Sequence, residues 1–548
     1  MKPVIATVFA LLFIALTIPA YAATTNLLNN SSFEVCTNGN IPDFWGPGGM
    51  GLSVPEYVLN PDSWRKRWGV DESTSHSGKR SMRIDCPGDA SNISLHSKWL
   101  DTPKINVPYT LSVWLKADRE DYPVAFGFEG VKEITIGTTW KRYWVTYDAY
   151  DKLLTISLIP KAKGIIWVDD YQFEEGSQPT DWTPAPGDAS LTGDAVHRIV
   201  PDVKPFKFRP GKKTPAVVKI DSNRRFLVDG VPFIPFSSGW EHTPTREIIH
   251  DTAKAGFNAI TIWVGNDKKL EEVRKCFDDA NSFGLKVVVG MSGGITDENR
   301  TMFMTSLKDH PALIAWNVCD EPMGDDPTPA KAYELAKKID PAHPAYVNYA
   351  PGFYLPDKLL SDIASLDQYT IGCGYTPLDQ AKNVDMLEKI AKPGGGPSWI
   401  WLQSSGNAYW IPREPTGPEE EAMVYLCLIH GVRGIKFWID IPLNSELHKT
   451  MKMLTREVRE LTPIIYSLDT PPAVSVSPSS IHMFGKMYKG RKYVIAANTL
   501  PTKSTAELKI PTTRSEANVL FENRKVKVES GVIKDSFEGY QRHVYEVK

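Results

Sequence analysis

Two adjacent carboxylates, Asp320 and Glu321, follow a short apolar run of β type at residues 313–319 and precede Pro322. Proline lacks a backbone N–H and disfavours helix at the residue before it, so the predicted strand ends where the acids stand. Barrel and open-sheet α/β enzymes place catalytic groups at the carboxyl ends of buried strands. The pair therefore predicts acid/base chemistry; the alternative is that both acids cap a helix starting near Pro329.

Strands and amphipathic helices alternate regularly on both sides of this pair. Strands are predicted at 233–240, 259–263, 286–291, 313–320, 345–349, 365–369, 398–403 and 434–439. Helices are predicted between them, for example at 268–283, 330–339, 385–391 and 419–429, with a final helix at 446–461. Eight strand–helix units in about 230 residues predict a (β/α)8 TIM barrel. A doubly wound sheet is the alternative, but no glycine-rich phosphate fingerprint opens the first unit.

Aromatic side chains suited to stacking on sugar rings, and an amide that could read hydroxyl groups, stand at other strand ends. The candidate substrate-binding residues are Asp320, Trp240, Trp263, Tyr349, Tyr369, Gln403 and Trp438. Trp401 shares a strand face with Gln403 and is expected in the barrel interior or the pocket floor. The loop at 404–415, with Tyr409, Trp410 and Arg413, follows strand seven and is the predicted substrate-contact loop.

The barrel is flanked by two regions of short strands separated by turn residues, which predict all-β domains. A chain of 548 residues is too long for one core. The predicted organisation is a β-sandwich jelly roll at 24–186, a linker at 187–215, the barrel at 216–466 and a small β-sandwich at 467–548. Trp114 and Trp144 alternate within predicted strands of the jelly roll and are expected in its core.

The amino terminus predicts export. A lysine, an apolar run and the sequence Ala20-Tyr21-Ala22 give the pattern of a signal peptide spanning 1–22, and no later stretch approaches the length of a membrane span. The expected location is secreted or periplasmic, without membrane contact after cleavage. The net charge of −3 gives no field that favours nucleic acid. Export permits disulfides, so Cys36 and Cys86 could pair, although buried free thiols are the alternative.

Four motifs of the first domain occur in a recognisable order. They are Asn26-Leu27-Leu28-Asn29-Asn30-Ser31-Ser32-Phe33-Glu34, Ser75-His76-Ser77-Gly78-Lys79-Arg80-Ser81, Tyr109-Thr110-Leu111-Ser112-Val113-Trp114-Leu115-Lys116-Ala117 and Trp167-Val168-Asp169-Asp170-Tyr171-Gln172-Phe173-Glu174. The domain resembles a carbohydrate-binding module of the galactose-binding jelly-roll type. The resemblance implies a structural calcium ion, for which Glu34 and Asp170 supply hard oxygen donors. The alternative is that both are ordinary turn or solvated acids. The last domain resembles the accessory sandwich often attached to such barrels.

The acids that end strand four resemble the Asn-Glu-Pro-like motif of the clan-A glycoside hydrolases, which are retaining (β/α)8 enzymes. The resemblance implies that Glu321 is the general acid/base. It also implies that Asp320 stands where the family has an asparagine that contacts substrate. Catalysis of this type needs no redox or nucleotide cofactor, and the expected partner is a carbohydrate.

The chain departs from the family at the end of strand seven, where Gln403 stands in place of the nucleophilic glutamate. Three explanations remain open. Another acid serves, with Asp367 as first choice before Asp440 and Glu241; the reaction needs only one protein carboxylate; or the barrel is a degenerate glycan-binding pocket. The favoured prediction is a secreted glycoside hydrolase acting on a β-linked polysaccharide or oligosaccharide. The alternative is a catalytically inactive glycan-binding protein.

Overall fold

The computed structural model describes residues 25–47, 66–88, 93–98, 100–101, 104–128, 132–148, 153–240, 243–291, 293–324, 326–350, 355–369, 371–407, 411–438, 442 and 444–548. The predicted signal peptide, residues 1–22, lies outside these ranges. Within them, no helix combines the length and apolar character needed to cross a membrane.

Two five-stranded antiparallel sheets form a sandwich in the first part of the described chain, in the orders β1-β4-β11-β7-β8 and β2-β3-β12-β6-β9. The strands are β1 (Trp45–Pro47), β2 (Trp68–Asp71), β3 (Ser81–Cys86), β4 (Leu95–Ser97), β5 (Leu100–Asp101), β6 (Pro108–Ala117), β7 (Tyr122–Phe128), β8 (Lys132–Ile136), β9 (Lys141–Asp148), β10 (Leu153–Leu154), β11 (Ile156–Pro160) and β12 (Gly164–Glu175). The alternating apolar residues of β6 and β12 lie in the shared core, which confirms the predicted sandwich.

Two expectations for this domain are corrected. Trp144 is 44% exposed and so does not lie in the core. Trp114 is half-buried and stacks on the ring of His76 at 3.6 Å between centroids. Of the two alternatives for Cys36 and Cys86, the structure agrees with free thiols.

A closed barrel of eight parallel strands, β16 to β23, follows and confirms the predicted TIM-barrel fold. Its elements are β16 (Phe236–Trp240), α1 (Arg246–Ala255), β17 (Ala259–Val264), α2 (Leu270–Ser282), β18 (Lys286–Met291), α3 (Asp297–Leu307), β19 (Leu313–Asp320), α4 (Thr328–Ile339), β20 (Ala345–Tyr349), β21 (Ile363–Asp367), α5 (Pro377–Gly394), β22 (Ser398–Gln403), α6 (Gly417–His430), β23 (Val432–Trp438) and α7 (Ser445–Ile465). Before it, β13 (Val218–Ile220), β14 (Phe226–Val228) and β15 (Val231–Pro232) form a small sheet.

Local sequence explains where the barrel helices begin. Thr376 and Thr416 each start a capping box, in which the threonine side chain and an acid three residues later satisfy free backbone N–H groups. A proline stands in the first turn of both helices, α5 and α6, where its missing N–H costs nothing. These signals fix the lengths of the loops that follow β21 and β22.

The last domain has two antiparallel sheets, β24-β27-β30 and β25-β26-β31-β28-β29. The strands are β24 (Ser475–Ser477), β25 (Ile481–Tyr488), β26 (Arg491–Asn498), β27 (Ser504–Lys509), β28 (Glu516–Leu520), β29 (Arg524–Lys527), β30 (Val532–Phe537) and β31 (Arg542–Val547). Buried Arg542 joins this sandwich to the barrel, because its guanidinium donates to both carboxylate oxygens of Glu457 on α7. The predicted small sandwich is therefore confirmed, and it packs on the outer helices.

The first sandwich packs on the loop that follows β22. Asn38 donates to the carbonyl of Glu414 at 3.0 Å, and the backbone N–H of Phe44 donates to the carbonyl of Pro412 at 2.6 Å. In return, Asn407 donates to the carbonyl of Pro42 at 2.8 Å. This loop lies at the carboxyl end of the barrel, so the sandwich borders the barrel face on which the predicted site residues stand.

Candidate active site

The barrel strands bring Asp320, Glu321 and Asp367 together at the carboxyl end of the barrel. Asp320 is the last residue of β19, and Asp367 is the last residue of β21. Glu321 has a φ of +44°, in the left-handed region, and its backbone N–H donates to the carbonyl of Asn348 at 2.9 Å. A β-carbon is disfavoured in that region, and such strain tends to be kept where function needs a side chain aimed in one direction.

Asp320 is held by amides from two strands. Its Oδ1 accepts hydrogen bonds from Nδ2 of Asn348 at 3.1 Å and from Nδ2 of Asn317 at 3.3 Å. Burial and the adjacent charge of Glu321 raise the pKa of Asp320 from 3.8 to about 7, against the opposing effect of the two amides. The site therefore contains a carboxyl group that changes its charge near neutral pH.

The carboxyl of Asp367 lies close to those of Asp320 and Glu321. Burial, the charges of Asp320 and Glu321, and hydrogen bonding towards Glu321 all raise the pKa of Asp367 well above its usual range. The hydroxyl of Tyr369 donates to Oδ2 of Asp367 at 3.2 Å and opposes the rise. Asp367 therefore keeps its proton to higher pH than a carboxyl group in water does.

Lys436 lies in the barrel interior beneath the acids and was not found from the sequence. Its Nζ donates to the hydroxyls of Tyr346 at 2.8 Å and Ser365 at 3.3 Å, and it lies 4.5 Å from the ring centroid of Trp401. Ser365 in turn donates to Oδ1 of Asn348 at 2.7 Å. Hydrogen bonds thus connect the lysine to Asp320 through Ser365 on β21 and Asn348 on β20.

The electrostatic role of Lys436 follows from its burial. Burial lowers its pKa well below 10.5, and the charges of Asp320 and Asp367 oppose that change. A cation placed there favours the ionised forms of both acids. One signal in the sequence pointed to it: a lysine alternates with glycine and tryptophan on one face of an otherwise apolar strand, at Gly434, Lys436 and Trp438.

Gln403 is a structural residue of the loop and does not contact the cleft through its amide. Its Oε1 accepts from the backbone N–H of Ile371 at 2.9 Å. Its Nε2 lies within hydrogen-bonding distance of the carbonyls of Ile371, Ser405 and Arg413, at 3.0 to 3.2 Å. This bonding replaces the predicted reading of substrate hydroxyls, because the side chain is 1% exposed and already occupied.

The predicted aromatic residues fall into two groups. Tyr369 and Trp438 are half-buried and stack on each other at 4.7 Å, beside Asp367. They remain candidate sugar-binding surfaces. Tyr349 is fully buried, so it belongs to the core and its predicted role in stacking on sugar is corrected.

Trp263 and Trp401 lie at the mouth of the barrel interior, with ring centroids 6.1 Å apart. Gly239 makes room for Trp401, since a β-carbon there would lie 2.6 Å from the indole. Gly290 does the same for Trp263, also at 2.6 Å. Trp401 is 2% exposed and forms the floor of the site, whereas half-buried Trp263 remains a candidate for substrate contact.

Several predicted residues lie outside what the structure describes. Glu241, Asp440, Tyr409 and Trp410 fall in undescribed positions, and for Trp240 the strand is described but the side chain is not. Asp367 is therefore the second carboxyl that the described residues place against Glu321.

The predicted calcium ligands of the first sandwich are engaged with one turn. Oε1 of Glu34 accepts from the backbone N–H groups of Lys79 and Arg80 at 2.8 and 3.0 Å. The carboxylate of Asp170 accepts from Ser77 at 2.7 Å and contacts Nδ1 of His76 at 2.6 Å. No group of three or more His, Cys, Asp or Glu side chains in the described ranges is arranged to hold a metal ion. Hydrogen bonds to both carboxylates thus join this turn to the sandwich, and a calcium ion held by Glu34 and Asp170 remains a prediction.

No protein-family model matches the chain, and no curated protein matches it by sequence. Among solved structures, a β-D-glucuronidase for Dictyoglomus thermophilum aligns at 10% identity and a TM-score of 0.36, covering 71% of this chain and 96% of that one. A GH2 β-galacturonidase from Eisenbergiella tayi aligns at 11% and 0.35, over 71% and 96%. A GH30 endoxylanase from Clostridium papyrosolvens C71 aligns at 10% and 0.35, over 57% and 95%. At these identities and TM-scores the likeness carries no argument about the site.

Proposed function

We propose that this chain is an exported glycoside hydrolase that cleaves O-glycosidic bonds in a β-linked polysaccharide or oligosaccharide. The observation that carries the proposal is the pair of neighbouring carboxyls, Glu321 and Asp367, at the carboxyl end of the barrel, with the pKa of Asp367 raised well above its usual range. Glycoside hydrolysis uses two carboxyl groups, one protonated and one ionised, on either side of the bond that breaks. We assign one proton to the pair, so that it supplies both forms.

The two acids differ in their surroundings, which suggests their roles. Asp367 is 5% exposed, whereas Glu321 is half-buried and stands beyond the end of its strand. Glu321 is therefore the better placed to reach a leaving oxygen and acts as the general acid/base. Asp367 acts as the nucleophile once the proton assigned to the pair has moved to Glu321.

The closeness of the two carboxyls favours the spacing of retaining enzymes, about 5–5.5 Å, over that of inverting enzymes, about 6.5–9.5 Å. The proposed outcome is retention of the anomeric configuration.

The remaining residues of the site have roles that their contacts suggest. Asp320, held by Asn317 and Asn348, lies beside the acid/base and accepts a hydrogen bond from a sugar hydroxyl. Tyr369 and Trp438 form a stacked aromatic surface next to the nucleophile, on which the apolar face of a pyranose ring rests.

Release of reducing sugar from β-glucans, galactans, mannans and xylans tests the proposal. The wild type is compared with Glu321→Gln, which keeps the shape of the side chain but cannot donate or accept the catalytic proton in the same way. We expect the wild type to act on one of these polymers and the variant to be at least about 100-fold less active on it. Undiminished activity in the variant would remove Glu321 from the mechanism. Binding without hydrolysis by both proteins would instead identify a glycan-binding barrel.

A further inference from the structure

A cavity of about 310 Å³ lies at the opposite end of the barrel from the carboxyl pair. It is enclosed by the turn between β13 and β14, by α5, by the ends of α6 and α7, by the start of β23 and by β25 of the last sandwich. Its charged lining residues are Arg224, Arg225, Lys392, Arg433, Lys486 and Glu388. Five basic side chains thus surround a space that receives one acidic side chain.

Three of the basic groups have acidic partners. Arg224 makes a two-pronged ion pair with Glu388 at 2.7 and 3.1 Å, and Lys392 lies 3.6 Å from the same carboxylate. Arg225 pairs with Asp221 at 2.7 Å. The carboxylate of Glu388 is therefore shared by two cations.

Arg433 and Lys486 have contacts of another kind. Arg433 donates to the carbonyls of Val432 at 2.7 Å and Leu428 at 3.3 Å, and Lys486 donates to the carbonyl of Ser467 at 3.3 Å. Among the described residues, neither Arg433 nor Lys486 forms an ion pair or a hydrogen bond with a carboxylate. Burial and the charge of Arg433 lower the pKa of Lys486 to about 8, so the two cations repel each other across the cavity.

Capping of helix ends explains part of this arrangement, since carbonyls at the ends of α6 and α7 attract cations. It explains neither the cavity between the two side chains nor the positive charge on its other walls. A guanidinium fork and an ammonium group converging on a small open space are the donors that bind tetrahedral oxyanions.

We propose that this cavity binds a phosphate or sulfate group, free or carried by one small molecule. The cavity is at the lower end of the range for small-ligand pockets, about 300–1,000 Å³, so it accommodates a monosaccharide ester and excludes a polymer. The ligand would contact the barrel and the last sandwich together, and its binding would strengthen the attachment between them. The site is separate from the carboxyl pair and does not depend on the proposed hydrolysis.

Equilibrium dialysis with radiolabelled inorganic phosphate, at constant ionic strength, tests the proposal on the full chain. Saturable binding of about one phosphate per chain is expected. Lys486→Met and Lys392→Met are each expected to weaken it about tenfold, since each removes a charge-assisted contact. Lys392 is on an exposed helix surface, so its variant keeps the test valid if Lys486→Met fails to fold. The matched control Lys527→Met, on an exposed position of β29, leaves binding unchanged.

Competition against the labelled phosphate by unlabelled sulfate, glucose 6-phosphate and glucose 6-sulfate identifies the source of the oxyanion. If either sugar ester competes more strongly than free sulfate, the ligand is an ester. If all three competitors act equally, the ligand is the free ion. Absence of saturable binding, or equal binding by wild type and both lining variants, would overturn the proposal. Thermal unfolding alone does not decide it, because sulfate and phosphate stabilise folded proteins generally by exclusion from their surface.

Discussion

Asp320→Asn is expected to stabilise the fold at neutral pH while impairing the site. The amide has almost the same shape, and its oxygen can still accept from Asn317 and Asn348. It removes a negative charge that is half-buried next to Glu321. The stabilisation arises because that charge is less favourable in the folded protein than in water.

The pKa of Asp320 gives the magnitude and the sign. It rises from 3.8 to about 7 on folding, a shift of about 3 units, and each unit corresponds to about 1.4 kcal/mol. A carboxyl group whose pKa is raised in the folded state does not affect stability at pH values below its unfolded-state pKa. It lowers the unfolding free energy as the pH rises from the unfolded-state pKa to the folded-state pKa. The wild type therefore loses about 4 kcal/mol in total as the pH rises from below 4 to above 7, and about 3 kcal/mol of this total falls between pH 5 and pH 8.

Urea unfolding at pH 5 and pH 8 measures this effect. The gain in unfolding free energy of Asp320→Asn over wild type should be larger at pH 8, by about 3 kcal/mol or somewhat more, because removing the charge also lowers the pKa of Asp367. Asp309→Asn, at an exposed acid of the same barrel, is the control and should show no such difference. An equal or smaller gain at pH 8 than at pH 5 would refute the electrostatic account of Asp320.

Three further variants test the neighbours of the carboxyl pair. Lys436→Met removes a cation that favours the ionised forms of Asp320 and Asp367, so the acidic limb of the pH–rate profile should move to higher pH by about one unit. An acidic limb at the same pH as in wild type would show that the lysine is uncharged. Gln403→Glu, which restores the acid of the resembled family, should lower the unfolding free energy by about 3 kcal/mol, since a carboxylate would face three carbonyls. It should give no gain in activity over wild type, and a stable, more active variant would contradict this. Tyr369→Phe removes a donor to Asp367 and should also raise the acidic limb, which a shift to lower pH would contradict.

The barrel and the position of Glu321 were predictable because both depend on local signals. Alternating strands and helices fix the barrel, and Pro322 fixes where the fourth strand ends. The contact of Asp367 with Glu321 depends on strands four and six meeting at one end of a closed barrel, so the fold had to be known first. Once it was, strand-end position singled out Asp367.

Other features depend on tertiary contacts that leave no trace in spacing. Gln403 occupies the position of a catalytic residue, but three backbone carbonyls from two loops decide its role. Tyr349 also ends a strand, yet its side chain is fully buried. Lys436 was missed because a lysine in an apolar strand is ordinarily read as a surface residue, whereas closure of the barrel buries it.

The measurement that tests the roles of Glu321 and Asp367 most directly is azide rescue with an activated aryl β-glycoside of the sugar that the wild type releases. Without the nucleophile, azide attacks the anomeric carbon once and inverts it; without the acid/base, azide attacks the covalent intermediate and retention results. We predict the α-glycosyl azide from Asp367→Ala and the β-glycosyl azide from Glu321→Ala. The opposite pairing of products and variants, or no azide product from either variant, would contradict the account.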